Sequence, residues 1–139
     1  MEEHFVNYNQ ALALKELGFD EPCFGAYRSH SHFIGHLDIQ YCTTNNLKQY
    51  EWLLHTLAPL KSQVFKWFRD EYNIQGYIYP LTVQGYKNGR IFTNYIYTIK
   101  DLYNDIIESN PVNEEFENYE EAESACIDRL ISILKEKKL

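Results

Sequence analysis

A chain of 139 residues has the size of one domain, long enough for a single core and too short for two. Hydrophobic residues make up 45% and charged residues 24%, ordinary globular usage, and no apolar run approaches the ~18 residues of a membrane span. The net charge of −7 excludes a protein that wraps duplex DNA, which needs a broad basic surface to displace counterions.

The first helix is legible from its cap. In Asn7-Tyr8-Asn9-Gln10, Asn7 accepts from the first-turn amides while Gln10 reaches back, a capping box. Ala11, Leu12, Leu14 and Leu17 follow, Gly18 is the left-handed stop, and Phe19 tucks the chain back before Asp20-Glu21-Pro22 forbids continuation. Cys23–Tyr27 is β-prone. A hairpin turning within Ser29–Ser31 and returning through Phe33–Tyr41 fits the next stretch, where Phe33, Leu37, Ile39 and Tyr41 share one parity. Thr43–Gln49 is polar and reads as a loop; Tyr50–His55 extends either element type. Pro59 suits a first helical position, and Leu60, Val64, Trp67 and Phe68 form an inward stripe with Lys61, Lys66, Arg69 and Asp70 outward.

Gly76–Lys87 and Arg90–Ile99 then alternate on either side of Asn88-Gly89, the strongest short-range hairpin signal. Pro80 cannot donate to a ladder, which makes its strand an edge or bends it. Asp101–Ser109 has helical spacing at Leu102, Ile106 and Ile107. The last helix starts at Asn118, with Tyr119, Ala122, Cys126, Leu130 and Ile133 inward and Lys135, Lys137 and Lys138 at the negative end of its dipole. The fold expected is a single α+β domain over 1–139. It has one antiparallel sheet, the Asn-Gly hairpin plus the N-terminal strands, packed by three principal helices in the order α-β-β-α-β-β-(α)-α.

The segments FVNYNQALALKELGFDEPCFGAY, LAPLKSQVFKWFRDEYNI and NYEEAESACIDRLISILK together resemble a set of short, uncharacterised proteins of bacteriophages and prophages of gut Bacteroidales, crAss-like phages included. The resemblance implies an accessory phage protein acting in the host cytoplasm. It carries no activity, cofactor or catalytic residue over to this chain.

Three cysteines, Cys23, Cys42 and Cys126, without a CxxC spacing argue against a disulfide framework or a cysteine zinc site. The acidic start Met1-Glu2-Glu3-His4 is unlike a signal peptide, so a reducing cytoplasm is the expected compartment. Ten acids and no Lys or Arg lie between Lys100 and Arg129, leaving the rest of the chain net basic and able to hold a local anion.

His30, His32 and His36, with Asp38 and Cys42, would share one face of a continuous strand, a pattern compatible with metal ligands and with a metal-dependent hydrolase. Ser29, Ser31 and Gly35 interrupt such a strand, and the expectation is no metal. No nucleophile elbow, phosphate loop or HExxH occurs, so neither an enzyme nor a cofactor is expected.

The hairpin is the preferred surface. Its parity groups Tyr79, Leu81, Val83, Phe92 and Ile96 as a core face. It leaves Thr82, Gln84, Tyr86, Ile91, Thr93, Tyr95 and Tyr97 outward, with Lys87 and Arg90 at the tip. Tyr86, Lys87, Arg90, Tyr95 and Tyr97 are the candidate binding residues, for a protein partner or self-association, or alternatively for a small anionic ligand such as a nucleotide immune signal.

Overall fold

The computed structural model describes residues 1–30, 33–44, 54–87, 90–101, 106–109 and 115–137. After a 3-10 turn at Glu2–His4 come helix α1 (Tyr8–Glu16) and strands β1 (Ala26–His30), β2 (Phe33–Asp38) and β3 (Leu54–Leu57). Helix α2 (Lys61–Tyr72) follows, then strands β4 (Ile74–Lys87), β5 (Arg90–Asp101) and β6 (Ile106–Ser109), and finally helix α3 (Tyr119–Lys137). The protein is α+β, with three principal helices and antiparallel sheets. The strands divide between two sheets, β2-β1-β3 and β4-β5-β6, where the sequence suggested one. The chain forms two compact units, one of Met1–Val64 with Ile131–Leu139 and one of Phe65–Leu130.

In the first unit α1 is capped as its sequence dictates. Asn7 Oδ1 accepts from Gln10 N at 2.8 Å and Gln10 Oε1 accepts from Asn7 N at 3.0 Å. At the other end Gly18 takes φ +97°, and the Gly18 and Phe19 amides donate back to Lys15 and Leu14 at 3.1 and 2.9 Å. That is the Schellman closure, which a left-handed glycine permits. Tyr27 anchors β1 against the segment entering α1, donating its hydroxyl to Val6 O at 2.6 Å while its ring meets Tyr8 edge-on. Cys23 pairs with Cys42 in an isolated bridge just before β1 begins.

In the second unit the Asn-Gly hairpin has the register that its turn requires, Lys87 opposite Arg90 and Tyr86 opposite Ile91; residues 88 and 89 themselves lie outside the described residues. Between Thr82 and Tyr86 β4 carries two more residues than β5, so Tyr79 faces Ile96 and Ile78 faces Tyr97. An even shift preserves the grouping of side chains by face. Ile74, Tyr97 and Ile99, which share one face, are buried. An added Cβ at Gly76, on that face, would lie 2.7 Å from Cys126 Sγ of α3 and 2.8 Å from the Phe65 ring of α2. The glycine therefore marks the place where a helix presses closest on the sheet.

Pro80 sits opposite Tyr95, whose backbone N–H and C=O are exchanged with Phe116 at 2.8 and 3.0 Å and so point away from β4. The Pro80 nitrogen consequently faces the far side of β4, the outer strand of this sheet, where its missing donor leaves no ladder bond unmade.

Several expectations need correction. Of the helix proposed over Asp101–Ser109, Asp101 ends β5 and Ile106–Ser109 is strand β6, paired with β5, because ladder bonds outweigh a short helical spacing. Residues 102–105 and 110–114 lie outside the described residues. Tyr50–His55 is described only from Leu54, which begins β3. Helix α2 begins two residues after Pro59, whose carbonyl instead accepts from Val6 N at 3.1 Å. Lys61 is buried rather than outward, and Tyr119 is exposed rather than inward. Val64, Trp67, Phe68, Ala122, Cys126, Leu130 and Ile133 are buried as their spacing predicts, with Ile127 and Leu134 buried beside them, whereas Leu60 is only half-buried.

Candidate binding surface

With Ile74, Tyr97 and Ile99 inward, the opposite parity over residues 75–81 of β4 and 94–100 of β5 faces out. This reverses the sequence-based assignment of the two faces. Tyr79 and Leu81, expected in the core, are 39% and 37% exposed, whereas Tyr97 is 5% exposed with its ring stacked 6.3 Å from Phe116. Tyr95 is half-buried, its ring edge-on to Tyr119 at 5.8 Å. Both faces of this hairpin carry tyrosines, so alternation groups the residues correctly without saying which group the helix covers. The decisive signal is Gly76: it belongs to the Tyr97 face, and only a glycine admits the Cys126 sulfur there.

The outward face is a continuous patch. Along β4 it presents Tyr77, Tyr79 and Leu81, opposite Thr98, Ile96 and Asn94 of β5. The Tyr77 and Tyr79 rings stack at 6.0 Å with 20° between their planes. Lys100 places its ammonium 5.4 Å from the Tyr77 ring centre, a cation–π contact that also brings the patch its positive charge. At the other end Asn94 Nδ2 donates to Glu115 Oε2 at 2.7 Å. The result is an aromatic surface with a cation at one end. Such a surface binds by burying ring area and satisfying a few polar contacts.

Of the sequence candidates, Tyr95 and Tyr97 are turned away from this patch. For Tyr86, Lys87 and Arg90 the backbone register is fixed, while their side chains lie outside the described residues.

The histidine group does not lie on one strand. The chain reverses after His30, and His36 is on β2; His32 and the His30 side chain lie outside the described residues. Across the first sheet the register sets His36, Arg28 and His55 side by side on three strands. Arg28, ion-paired with Asp38, thus stands between two histidines in the register, and its charge opposes a cation there. Burial first, and then the Arg28 charge, hold His55 below the ordinary imidazole range. The sequence reading missed His55, since β3 is only four residues long and adjoins residues without a clear period. Among the described residues no cluster of three His, Cys, Asp or Glu side chains could hold a metal ion.

No protein-family model, curated protein or solved structure matches this chain. Among the described residues no helix is long and apolar enough to cross a membrane.

Proposed function

We propose that the protein is a non-catalytic binding module, an accessory protein of phage type acting in the host cytoplasm, that takes a protein partner on the outward face of β4 and β5. The observation that carries this reading is the exposure of Tyr79 and Leu81 beside the stacked Tyr77 ring. Large aromatic side chains on an open sheet face supply contact area at little cost in side-chain entropy, and they are the residues on which interface energy concentrates. The test is cross-linking of the wild-type chain and of a Tyr79→Ser, Leu81→Ser double variant in host cytoplasm, followed by reconstitution with each purified partner. The double variant is expected to keep its melting temperature and lose at least about tenfold in affinity, a loss of hot-spot size. Equal affinity in both forms refutes the assignment of the surface.

A second reading rests on Lys100. An ammonium beside a tyrosine ring suits a nucleotide, with the base stacked on the ring and the phosphate held by the cation. A thermal-shift screen against nucleotides and cyclic nucleotides separates the two. A rise in midpoint that Lys100→Ala abolishes favours the small ligand.

A further inference from the structure

The geometry points to Cys23 and Cys42 as a reversible dithiol–disulfide site, a modification site independent of the proposed binding face. The two residues stand directly opposite one another in an antiparallel bridge and exchange both backbone hydrogen bonds, Cys23 N to Cys42 O at 2.9 Å and Cys42 N to Cys23 O at 2.7 Å. A pair of this type holds its Cα atoms about 5.5 Å apart, inside the ~4.4–6.8 Å window of disulfides. Its Cβ atoms are about 5 Å apart, against ~3.8 Å across a disulfide, so closure draws the strands together by roughly 1 Å. Both cysteines are free thiols. The third, Cys126, belongs to the second unit and packs beside Gly76.

The surroundings set the conditions under which the bond forms. Both thiols are buried. Cys23 donates to Glu21 O at 3.2 Å. Burial, then the neighbouring Cys42 and Glu21, pushes its thiol up to about 12. Cys42 is likewise raised by burial, against the opposing pull of Arg28 and of a hydrogen bond with Gln40. Thiolate is therefore scarce at neutral pH, and exchange waits on local opening of the bridge. Phe24 and Tyr41, the next residues inward along the same two segments, are 58% and 60% exposed and meet edge-on. The buried bridge therefore has exposed residues immediately beside it.

The oxidant is a small-molecule disulfide of the glutathione type. One cysteine thiolate attacks it and expels the first small thiol; the second thiolate attacks the mixed disulfide and expels the other. Two protein S–H bonds and one small-molecule S–S bond are consumed, while one protein S–S bond and two small-molecule S–H bonds form. The protein loses two electrons and the small disulfide gains them. In a reducing compartment the pair is a dithiol, and oxidative challenge closes the β1–β2 hairpin into a covalent loop.

The experiment equilibrates the full chain in glutathione buffers of graded oxidised-to-reduced ratio, traps thiols by alkylation under denaturing conditions and maps the peptides by mass spectrometry. The expected result is an intramolecular Cys23–Cys42 link, reversed by dithiothreitol, with Cys126 alkylated throughout. Oxidised protein should melt about 5–10 °C higher than reduced protein, from the closed loop. Cys23→Ala and Cys42→Ala should each abolish the link, and the wild-type peptide map decides the matter even if a variant folds poorly. A link involving Cys126, glutathione adducts without the protein link, or thiols that remain reduced at every ratio even after unfolding and refolding in the same buffers would each overturn the assignment.

Discussion

Replacing Gly76 by alanine probes the face of the hairpin sheet that the helices cover. The added methyl meets Cys126 Sγ at 2.7 Å and the Phe65 ring at 2.8 Å, both well inside ordinary van der Waals contact. Overpacking of this kind costs roughly 1–3 kcal/mol. Against it stands the entropy gained by removing a glycine from the unfolded chain, about 0.4–1 kcal/mol in the stabilising direction. The overlap should win, because the sulfur sits on a short side chain fixed to a helix and only the half-buried Phe65 ring can give way. The net loss is about 1–2 kcal/mol, a fall in melting temperature of ~3–8 °C for a chain of this size. Thermal and urea unfolding of Gly76→Ala, Cys126→Ala and the double variant complete a cycle. The two changes should be coupled by at least ~1 kcal/mol, since the methyl occupies the space that the sulfur vacates. Tyr79→Ser, on the outward face, should cost less than about 1 kcal/mol. A neutral or stabilising Gly76→Ala is what an uncovered face gives, and it would refute this packing.

Leu130→Ala truncates a side chain that is almost wholly buried and should cost about 2–5 kcal/mol in chemical denaturation. Asn7→Ala removes the anchor of the α1 capping box and should cost about 1–2 kcal/mol, with Asn7→Ser recovering most of it. His55 gives a pH dependence. Its folded pKa lies below the unfolded value of 6.5, so the unfolded chain takes up the proton first as the pH falls. Its contribution is fully present above 6.5 and declines below it. The melting temperature should therefore drop between pH 7 and pH 5.5, and His55→Gln should flatten that drop.

Local chemistry in this sequence specifies local structure well. Asn7 with Gln10 and Gly18 dictate a cap and a stop through bonds within a few residues, and each lies where those bonds require, while the strands flanking Asn88-Gly89 pair in the register that a two-residue turn sets. The stripes of α2 and α3 were equally legible, because a buried helix face has a period of its own. What depended on distant parts of the chain was not legible. Ile106–Ser109 has helical spacing and pairs as a strand because β5 offers it a ladder. The outward patch was assigned to the wrong parity, since Tyr79 and Leu81 look as much like core as Tyr95 and Tyr97 do. The opposition of Cys23 and Cys42 arises from a pairing across nineteen positions that no spacing rule announces.

The position of Pro80 governs how another chain can approach the hairpin. An incoming strand that tried to extend the sheet along β4 would meet a rung without an N–H, midway along that outer strand. Growth by backbone pairing is interrupted there, whatever the incoming sequence, while contacts made by side chains on the flat of the sheet are unaffected. A long β-rich hairpin with an aromatic face is otherwise an invitation to fibril-like stacking at the concentrations reached during synthesis. The proline leaves the flat of the sheet open while denying its edge as a template for aggregation.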